Sequence, residues 1–151
     1  MTDASPLAVL YAEDDPDDRL LAELAHRESG ALNPLVFVAN GEEALEYLRR
    51  MGRYADRTDA LQPGIVLLDL NMPGIGGHAT LRAIRSDPVL RTIPVIILTT
   101  SAARTDIALS YGAGASSYIV KPGAFGGLVH IFQSLASFWF DVSTLAREVA
   151  R

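Results

Sequence analysis

Four apolar segments of this chain are each followed directly by polar residues of the kind that phosphoryl chemistry needs: Glu13 and Asp14, Asp69, Thr99, and Lys121. Carboxylates bind hard cations and can act as nucleophiles, whereas an ammonium or a hydroxyl can donate hydrogen bonds to phosphate oxygens. Together these residue types are the parts of a phosphoryl-transfer centre, with a metal-binding acid cluster, a carboxylate nucleophile and a lysine.

The apolar segments have the length and composition of buried strands. The run Ile65–Leu68 consists of four aliphatic residues, which is typical of a strand buried on both faces of a parallel sheet. Similar segments occur at 8–12, 35–39, 94–98 and 117–120, and helical patterns separate them. The alternation predicts an α/β fold with a doubly wound, five-stranded parallel sheet and right-handed crossovers.

Capping residues mark where the first two helices begin. Asp15 before Pro16 and Asn40 before Gly41 are typical N-caps. Asp17 and Asp18 then suit the positive end of the first helix dipole, which leaves Glu13 and Asp14 without a structural role. Further along that helix, three leucines lie on one face: Leu20, Leu21 and Leu24.

The polar groups at the strand ends are expected to meet, because the carboxyl ends of parallel strands share one edge of the sheet. Three carboxylates at that edge repel one another, and two charges ~4 Å apart interact by roughly 4 kcal/mol at an effective dielectric constant of 20. The cluster therefore needs a cation. Oxygen ligands without cysteine or paired histidines favour Mg²⁺.

Composition excludes several classes of protein. The chain has 151 residues, enough for one domain with a substantial core, and a hydrophobic fraction of 49%. The absence of cysteine excludes disulfides and thiolate metal sites. A net charge of −5 argues against nucleic acid as a direct partner. No segment has the pattern of a signal peptide or a membrane span, so we expect a cytoplasmic protein without membrane contact.

Four motifs carry a resemblance to a known family: Glu-Asp-Asp at 13–15, Asp-Leu-Asn-Met-Pro-Gly at 69–74, Leu-Thr-Thr-Ser at 98–101 and Tyr-Ile-Val-Lys-Pro at 118–122. In this order they resemble the response-regulator receiver domain of two-component signalling, over residues 7–135. The long connection at 49–64, the doubled threonine with serine and the Phe-Trp tail are similar to the single-domain regulators paired with bacterial phytochromes, the red-light-sensing histidine kinases.

The resemblance implies a flavodoxin-like receiver fold and a set of roles at the acidic edge. It makes Glu13 and Asp14 the acidic pair, and it makes Asp69 the residue that a histidine kinase, here a phytochrome kinase, phosphorylates. Asp14 and Asp69 would bind Mg²⁺ together with the backbone carbonyl of Asn71. The chain would then be a phosphoacceptor rather than an enzyme, catalysing only its own phosphoryl transfer and dephosphorylation.

The resemblance also implies how the phosphoryl group is sensed. Thr99 would be the switch hydroxyl and Tyr118 the switch aromatic, while Lys121 would contact the phosphate. The bond from Lys121 to Pro122 is cis in the family. Asn71 and Ser101 lie where family members tune autodephosphorylation. With no output domain expected, the signal would leave through the face of the last two helices and the last strand.

The C-terminal segment carries two apolar stripes at helical spacing. One contains Phe125, Leu128, Val129, Phe132, Leu135, Trp139 and Val142, and the other contains Ile131, Leu135, Phe138, Val142, Leu145 and Val149. One stripe can cover the sheet, and an exposed second stripe usually marks an interface. We therefore divide the chain into a receiver domain at 1–135 and a helical extension at 136–151, and predict a homodimer through Phe138, Trp139 and Val142.

Three other functions compete with a phosphorylation switch. An aspartyl phosphohydrolase typically has a second acid two residues after its nucleophile, but Asn71 stands there and cannot act as an acid. A flavin or nucleotide binder would need a glycine- or hydroxyl-rich phosphate loop after the first strand, where this chain has acids. A constitutive dimeric receiver that acts as a scaffold or phosphate sink stays open.

Overall fold

The computed structural model describes residues 6–56 and 60–146 of the chain. In these ranges five strands form one sheet: β1 (Ala8–Ala12), β2 (Leu35–Val38), β3 (Pro63–Leu68), β4 (Val95–Thr99) and β5 (Ser117–Val120). Their order is β2-β1-β3-β4-β5, and all neighbouring strands are parallel. The predicted flavodoxin-like sheet is therefore confirmed, with its strand order reversing between β1 and β3.

Helices cover both faces of this sheet: α1 (Pro16–Ser29), α2 (Gly41–Arg49), α3 (Gly76–Ser86), α4 (Arg104–Gly112) and α5 (Phe125–Leu135). One buried cluster joins the sheet to α2 and α3, and a second joins it to α1 and α5. A short 3₁₀ turn, Gly52–Tyr54, lies in the long connection before β3. None of the helices described is long and apolar enough to cross a membrane.

Both predicted N-caps form. The Asp15 carboxylate accepts hydrogen bonds from the backbone N–H groups of Asp17 and Asp18, at 2.8 and 3.3 Å. Asn40 Oδ1 accepts one from the N–H of Glu43 at 2.8 Å. These bonds satisfy N–H groups that lack helical partners, and they fix where each helix leaves its strand. The start of α1 is thereby placed beside the end of β1.

Helix α1 packs on the sheet through small residues rather than through its leucines. Ala22 and Ala25 are buried, whereas Leu20, Leu21 and Leu24 are exposed by 56%, 48% and 40%. The alanines allow the helix to lie close to the sheet. The leucine face predicted from spacing is therefore turned outward, where it can contact a partner.

The segment after α5 continues as a π-helix, Ala136–Val142. Trp139 and Phe140 are half-buried against the core on the α1 and α5 side, and Leu145 is buried there. Phe138 and Val142 are exposed by 51% and 70%. The apolar excess predicted for this segment is thus partly used to cover the sheet, while Val149 and the rest of 147–151 lie outside the described residues.

Gly64 in β3 lets the C-terminal segment pack onto the sheet. A Cβ at this position would lie 2.5 Å from Phe140 Cε1 and 3.1 Å from Leu145 Cδ1. We expect Gly64→Ala to lower the free energy of unfolding by about 1–3 kcal/mol, because overpacking forces these side chains to move. Urea denaturation measures the change.

Gly126→Ala is the matched control for Gly64→Ala. A Cβ at Gly126 meets no atom within 4 Å, and the residue lies inside α5. Alanine there should raise the free energy of unfolding by about 0.5–1 kcal/mol, since glycine is a weak helix former. Equal stability of Gly64→Ala and wild type would show that Phe140 and Leu145 do not pack against β3.

Candidate phosphoacceptor site

Strand register brings the predicted site residues to one edge of the sheet. Ala12 of β1 lies opposite Leu68 of β3, so the residues that follow them, Glu13 and Asp69, are neighbours. The N–H of Asp69 donates to the carbonyl of Ala12 at 3.2 Å, and the N–H of Lys121 donates to the carbonyl of Thr99 at 2.7 Å. The backbone therefore brings these strand ends together at one edge of the sheet, as predicted.

The Asp69 carboxylate is the centre of this edge and is only 5% exposed. Its Oδ1 accepts hydrogen bonds from the Asn71 N–H at 3.0 Å and from Thr99 Oγ1 at 3.1 Å. Its Oδ2 accepts one from Lys121 Nζ at 2.6 Å. Burial pushes the pKa of Asp69 upward, but the bonds from Lys121 and Asn71 outweigh burial and hold the pKa below its usual value. The carboxylate is therefore ionised at neutral pH, as a nucleophile must be.

Lys121 is the cation at the centre of the acids. Its Nζ lies 2.6 Å from Glu13 Oε1, 2.6 Å from Asp69 Oδ2 and 3.2 Å from Asp18 Oδ2. Burial lowers the pKa of Lys121, but the surrounding acidic groups outweigh burial and raise the pKa above its usual value. The ammonium charge is therefore fixed at all physiological pH values.

Glu13 is the most buried acid of the site, with 1% of its surface exposed. Its Oε1 accepts from Lys121 and, at 3.4 Å, from the Tyr11 hydroxyl, while its Oε2 accepts from the Asp15 N–H at 3.1 Å. Burial raises the pKa of Glu13 above its usual value, although the hydrogen bond from Lys121 acts to lower that pKa. Burial also raises the pKa of Tyr11, so that its hydroxyl stays protonated and donates.

Three carboxylates can hold a hard cation at this edge: single oxygens of Glu13, Asp18 and Asp69 lie within 4.8 Å of one another. This all-oxygen donor set suits a divalent ion of the Mg²⁺ or Mn²⁺ type. Glu13 and Asp69 belong to the set predicted from sequence. Asp14 is exposed and does not belong to this group, and Asn71 contributes its N–H to Asp69.

Sequence reasoning missed Asp18, which it treated only as a complement to the helix dipole. Asp18 is the third residue of α1, and side chains of a helix tilt toward its N-terminus. That tilt brings the carboxylate back toward the end of β1. The position of an acid three residues after the N-cap was therefore a signal that could have identified Asp18.

The predicted switch residues lie on neighbouring strands. Thr99 is fully buried and donates to Asp69, while the Tyr118 hydroxyl donates to the carbonyl of Ser101 at 2.8 Å. Ser101 Oγ in turn donates to Asp106 Oδ2 of α4 at 2.6 Å. The loop after β4 therefore connects the Thr99 hydroxyl with the aromatic ring of Tyr118 on β5 and with the first turn of α4.

The predicted cis bond between Lys121 and Pro122 is wrong for this structure. All peptide bonds among the described residues are trans. An X–Pro bond favours the trans form by about 0.5–1 kcal/mol. The Lys121 side chain contacts the acids while the bond from Lys121 to Pro122 is trans.

Residues 9–133 match the family described as the response regulator receiver domain. The chain belongs to this family. Response regulator Rcp1 from Synechocystis sp. is 32% identical to it over 147 residues, which cover 96% of this chain and 98% of Rcp1. The chain thus spans nearly the whole length of that relative.

Solved structures of response regulators share the fold over more than nine-tenths of this chain. The crystal structure of RPA3017, in red light signaling of R. palustris, is 38% identical with a TM-score of 0.87, covering 92% of this chain and 97% of that one. The phosphorylated cyanobacterial phytochrome response regulator RcpA is 35% identical with a TM-score of 0.84, covering 93% and 99%. The Mn²⁺-bound form of Rcp1 is 31% identical with a TM-score of 0.80, also covering 93% and 99%.

These findings confirm the predicted family and the likeness to phytochrome-associated regulators. The chain is a receiver homologous to those proteins, and receivers are phosphoacceptors in two-component signalling. Receiver domains bind a divalent metal at an acidic pocket, which in this chain contains Glu13, Asp18 and Asp69.

Proposed function

We propose that this receiver takes a phosphoryl group onto Asp69 from a phytochrome-class histidine kinase, with Mg²⁺ as its ion, and that phosphorylation switches a protein-interaction face. One observation carries the proposal. The buried, ionised Asp69 already accepts hydrogen bonds from Thr99 and Lys121, the two groups that a phosphoryl group on Asp69 would need as partners.

The transfer step follows from the geometry of Asp69. One carboxylate oxygen attacks the phosphorus of a kinase phosphohistidine, the P–N bond breaks, and its electron pair returns to the imidazole nitrogen. A divalent ion bound at the acids would neutralise charge between the incoming phosphoryl group and the carboxylate. Lys121 donates to phosphoryl oxygens, and Thr99 exchanges its bond to Asp69 for one to phosphate.

The response travels through the loop after β4. Movement of Thr99 toward phosphate pulls this loop, whose Ser101 carbonyl holds the Tyr118 hydroxyl. Tyr118 and the start of α4 then change position together, which alters the face formed by α4, β5 and α5. Asn71, whose N–H donates to Asp69, and Ser101, in the loop after β4, would set how fast water removes the phosphoryl group.

A signalling role is favoured over hydrolysis of other substrates. Asn71, two residues after the nucleophile, is an amide and cannot protonate a leaving group. If the chain were only a constitutive dimeric scaffold, the ionised and hydrogen-bonded Asp69 carboxylate would have no role. We also propose a cytoplasmic location, where a kinase phosphohistidine is accessible, and no direct nucleic-acid contact, since the net charge is −5.

The exposed leucines of α1 are suited to dock the kinase, because α1 begins at the edge that carries Asp69. A phosphorylated phytochrome-class kinase mixed with the receiver should lose its label to wild type within minutes. Leu20→Arg should slow this transfer by about tenfold or more, because a charge placed in an apolar interface weakens binding. Labelling by acetyl phosphate, which needs no docking, should not change.

Leu109→Arg is the matched control for docking, because Leu109 is equally exposed, at 57%, but lies on α4. It should leave the transfer from the kinase unchanged. Failure of both the kinase and acetyl phosphate to label wild type would refute the proposed function. Equal slowing by the two variants would refute docking through α1.

We further propose that the chain forms a homodimer through the exposed side of α5 and the π-helix. Phe138 and Val142 line a shallow groove there together with His130, Gln133, Ser134 and Ser137. Trp139, the third predicted interface residue, is half-buried and packs edge-on against Phe138, with ring centroids 4.8 Å apart. Trp139 can therefore support the interface from beneath while Phe138 and Val142 form its surface.

Val142→Asp should convert a dimer into a monomer in light scattering at micromolar concentration. A symmetric interface receives the added charge twice, and each buried charge costs about 2 kcal/mol or more. Leu32→Asp is the matched control, since Leu32 is 90% exposed and lies in the loop after α1. A monomeric wild type, or a dimer that survives Val142→Asp, would contradict this interface.

A further inference from the structure

Lys121 has a third carboxylate partner, Asp18, that phosphoryl transfer at Asp69 does not by itself require. Asp18 Oδ2 lies 3.2 Å from Nζ, whereas the contacts to Glu13 and Asp69 are both 2.6 Å. An ammonium has three N–H donors and no acceptor, so these three acids use all of its donors. The Asp18 side chain is 41% exposed, and those of Glu13 and Asp69 are 1% and 7% exposed. Asp18 therefore lies at the rim of the site.

The two short contacts of Lys121 are with Glu13 and Asp69, two of the carboxylates that could also hold a divalent ion. A cation held by Glu13 and Asp69 would lie close to the ammonium. Two unit charges ~4 Å apart repel by roughly 4 kcal/mol at an effective dielectric constant of 20, and the double charge of the ion doubles this repulsion. This repulsion favours movement of the Lys121 ammonium away from Glu13 and Asp69 when the ion binds.

Asp18 is placed to keep the displaced ammonium at the site. It belongs to α1 rather than to the strand edge, and its N–H is held by the Asp15 carboxylate. The Arg19 guanidinium fastens the same turn to the carbonyl of Glu13. A cavity of about 70 Å³ borders both Asp18 and Lys121, and it gives the lysine side chain room to move.

We propose that Asp18 is a positioning residue for Lys121. It holds the ammonium at the rim when a divalent ion takes the oxygens of Glu13 and Asp69, and so keeps Lys121 within reach of a phosphoryl group. The role of Asp18 rests on the proposed function, because it assumes that the ion and the phosphoryl group both bind at Asp69.

Two simpler roles for Asp18 make different predictions. An acid in the first turn of α1 stabilises the helix dipole by about 0.3–1 kcal/mol whatever Lys121 does. Asp18 could instead ligate the ion directly, since its oxygen lies within 4.8 Å of those of Glu13 and Asp69. Only a positioning role makes the effect of Asp18 depend on the presence of Lys121.

A double-mutant cycle on Mn²⁺ affinity separates these roles. Free Mn²⁺ is measured by electron paramagnetic resonance with wild type, Asp18→Asn, Lys121→Met and the double variant. Asp18→Asn should weaken Mn²⁺ binding about fivefold when Lys121 is present and less than about twofold in the Lys121→Met background, because contacting residues couple. Asp18→Glu should restore most of the affinity.

Asp17→Asn is the matched control, because Asp17 lies in the same first turn but is exposed and makes no ion pair with Lys121 among the described contacts. It should change Mn²⁺ affinity by less than about twofold. Urea unfolding confirms that each variant is folded, and Asp18→Ser serves as a second neutral variant.

Three outcomes would overturn the positioning role of Asp18. Equal weakening in both backgrounds would make Asp18 a direct ligand, and equal effects of Asp17→Asn and Asp18→Asn would reduce it to a helix-dipole charge. Unchanged affinity in Asp18→Asn would leave it without a role at the site. A wild-type protein that binds no Mn²⁺ would instead refute the metal site of the proposed function, so the two failures are distinguishable.

Discussion

Asp69→Asn is expected to abolish acceptance of a phosphoryl group from acetyl phosphate. In the presence of Mg²⁺, the intact mass of wild type should increase by one phosphoryl group, while the variant should show no increase. The amide keeps the shape of the side chain, so Oδ1 can still accept the hydrogen bonds from Asn71 and Thr99. The nucleophilic oxygen anion is what the variant lacks.

The fold of Asp69→Asn should survive because Lys121 keeps Glu13 and Asp18 as partners. Asp56→Asn is a suitable control, since Asp56 is exposed and lies in the connection before β3, outside the site. Its phosphorylated fraction should equal that of wild type at saturation. Phosphorylation of Asp69→Asn to the same extent would place the acceptor at another residue.

Lys121→Met is expected to give the second large effect, a loss of stability that a divalent ion reverses. Without the ammonium, Glu13 and Asp69 remain buried with no cation between them. Removing one partner of a buried ion pair typically costs about 3 kcal/mol in the free energy of unfolding. Adding Mg²⁺ should then raise the melting temperature more than it does for wild type, because an ion that binds only the folded state stabilises it.

Arg49→Met is the matched cation-to-methionine control for this effect. Arg49 pairs with Asp87 at 3.2 Å, and the Arg49 side chain is 38% exposed. Its loss should cost less than about 1 kcal/mol and should not respond to Mg²⁺. A Lys121→Met protein as stable as wild type in chelator would show that the three acids do not need the lysine charge.

The five parallel strands and the edge that carries the site could be predicted because they depend on local patterns. Aliphatic runs of strand length that alternate with capped helices allow few topologies, and in a parallel sheet all strand ends meet at one edge. Asp69, Thr99 and Lys121 each follow such a run, and the structure joins them by hydrogen bonds. Their types already indicated phosphoryl chemistry.

The identity of the acids around Lys121 could not be predicted in the same way. Asp14 and Asp18 are both acids near the end of β1, and the sequence indicated a role at the site only for Asp14, as a metal ligand. The turn into α1 brings Asp18 to 3.2 Å from Lys121 and leaves Asp14 exposed. A change of one residue in where that helix begins would have rotated a different side chain toward the site.

In the C-terminal segment, too, local spacing predicted one part of the structure and packing decided the other. Spacing predicted two apolar stripes but could not say which side chains the sheet would cover. Gly64 makes that choice, because its missing side chain leaves space for Phe140 and Leu145. Phe138 and Val142 are left on the outside as a result.

The sequence by itself determined the class of fold, the edge of the sheet where the polar groups meet and the place of the Asp69 carboxylate at that edge, because runs, caps and strand ends are local properties. Tertiary structure alone decided which acids share the Lys121 ammonium, how Tyr118 is tied to Ser101 and which part of the apolar tail stays exposed. Those features depend on distances between side chains of different elements. The distances are set by how helices pack on the sheet, which no local pattern encodes.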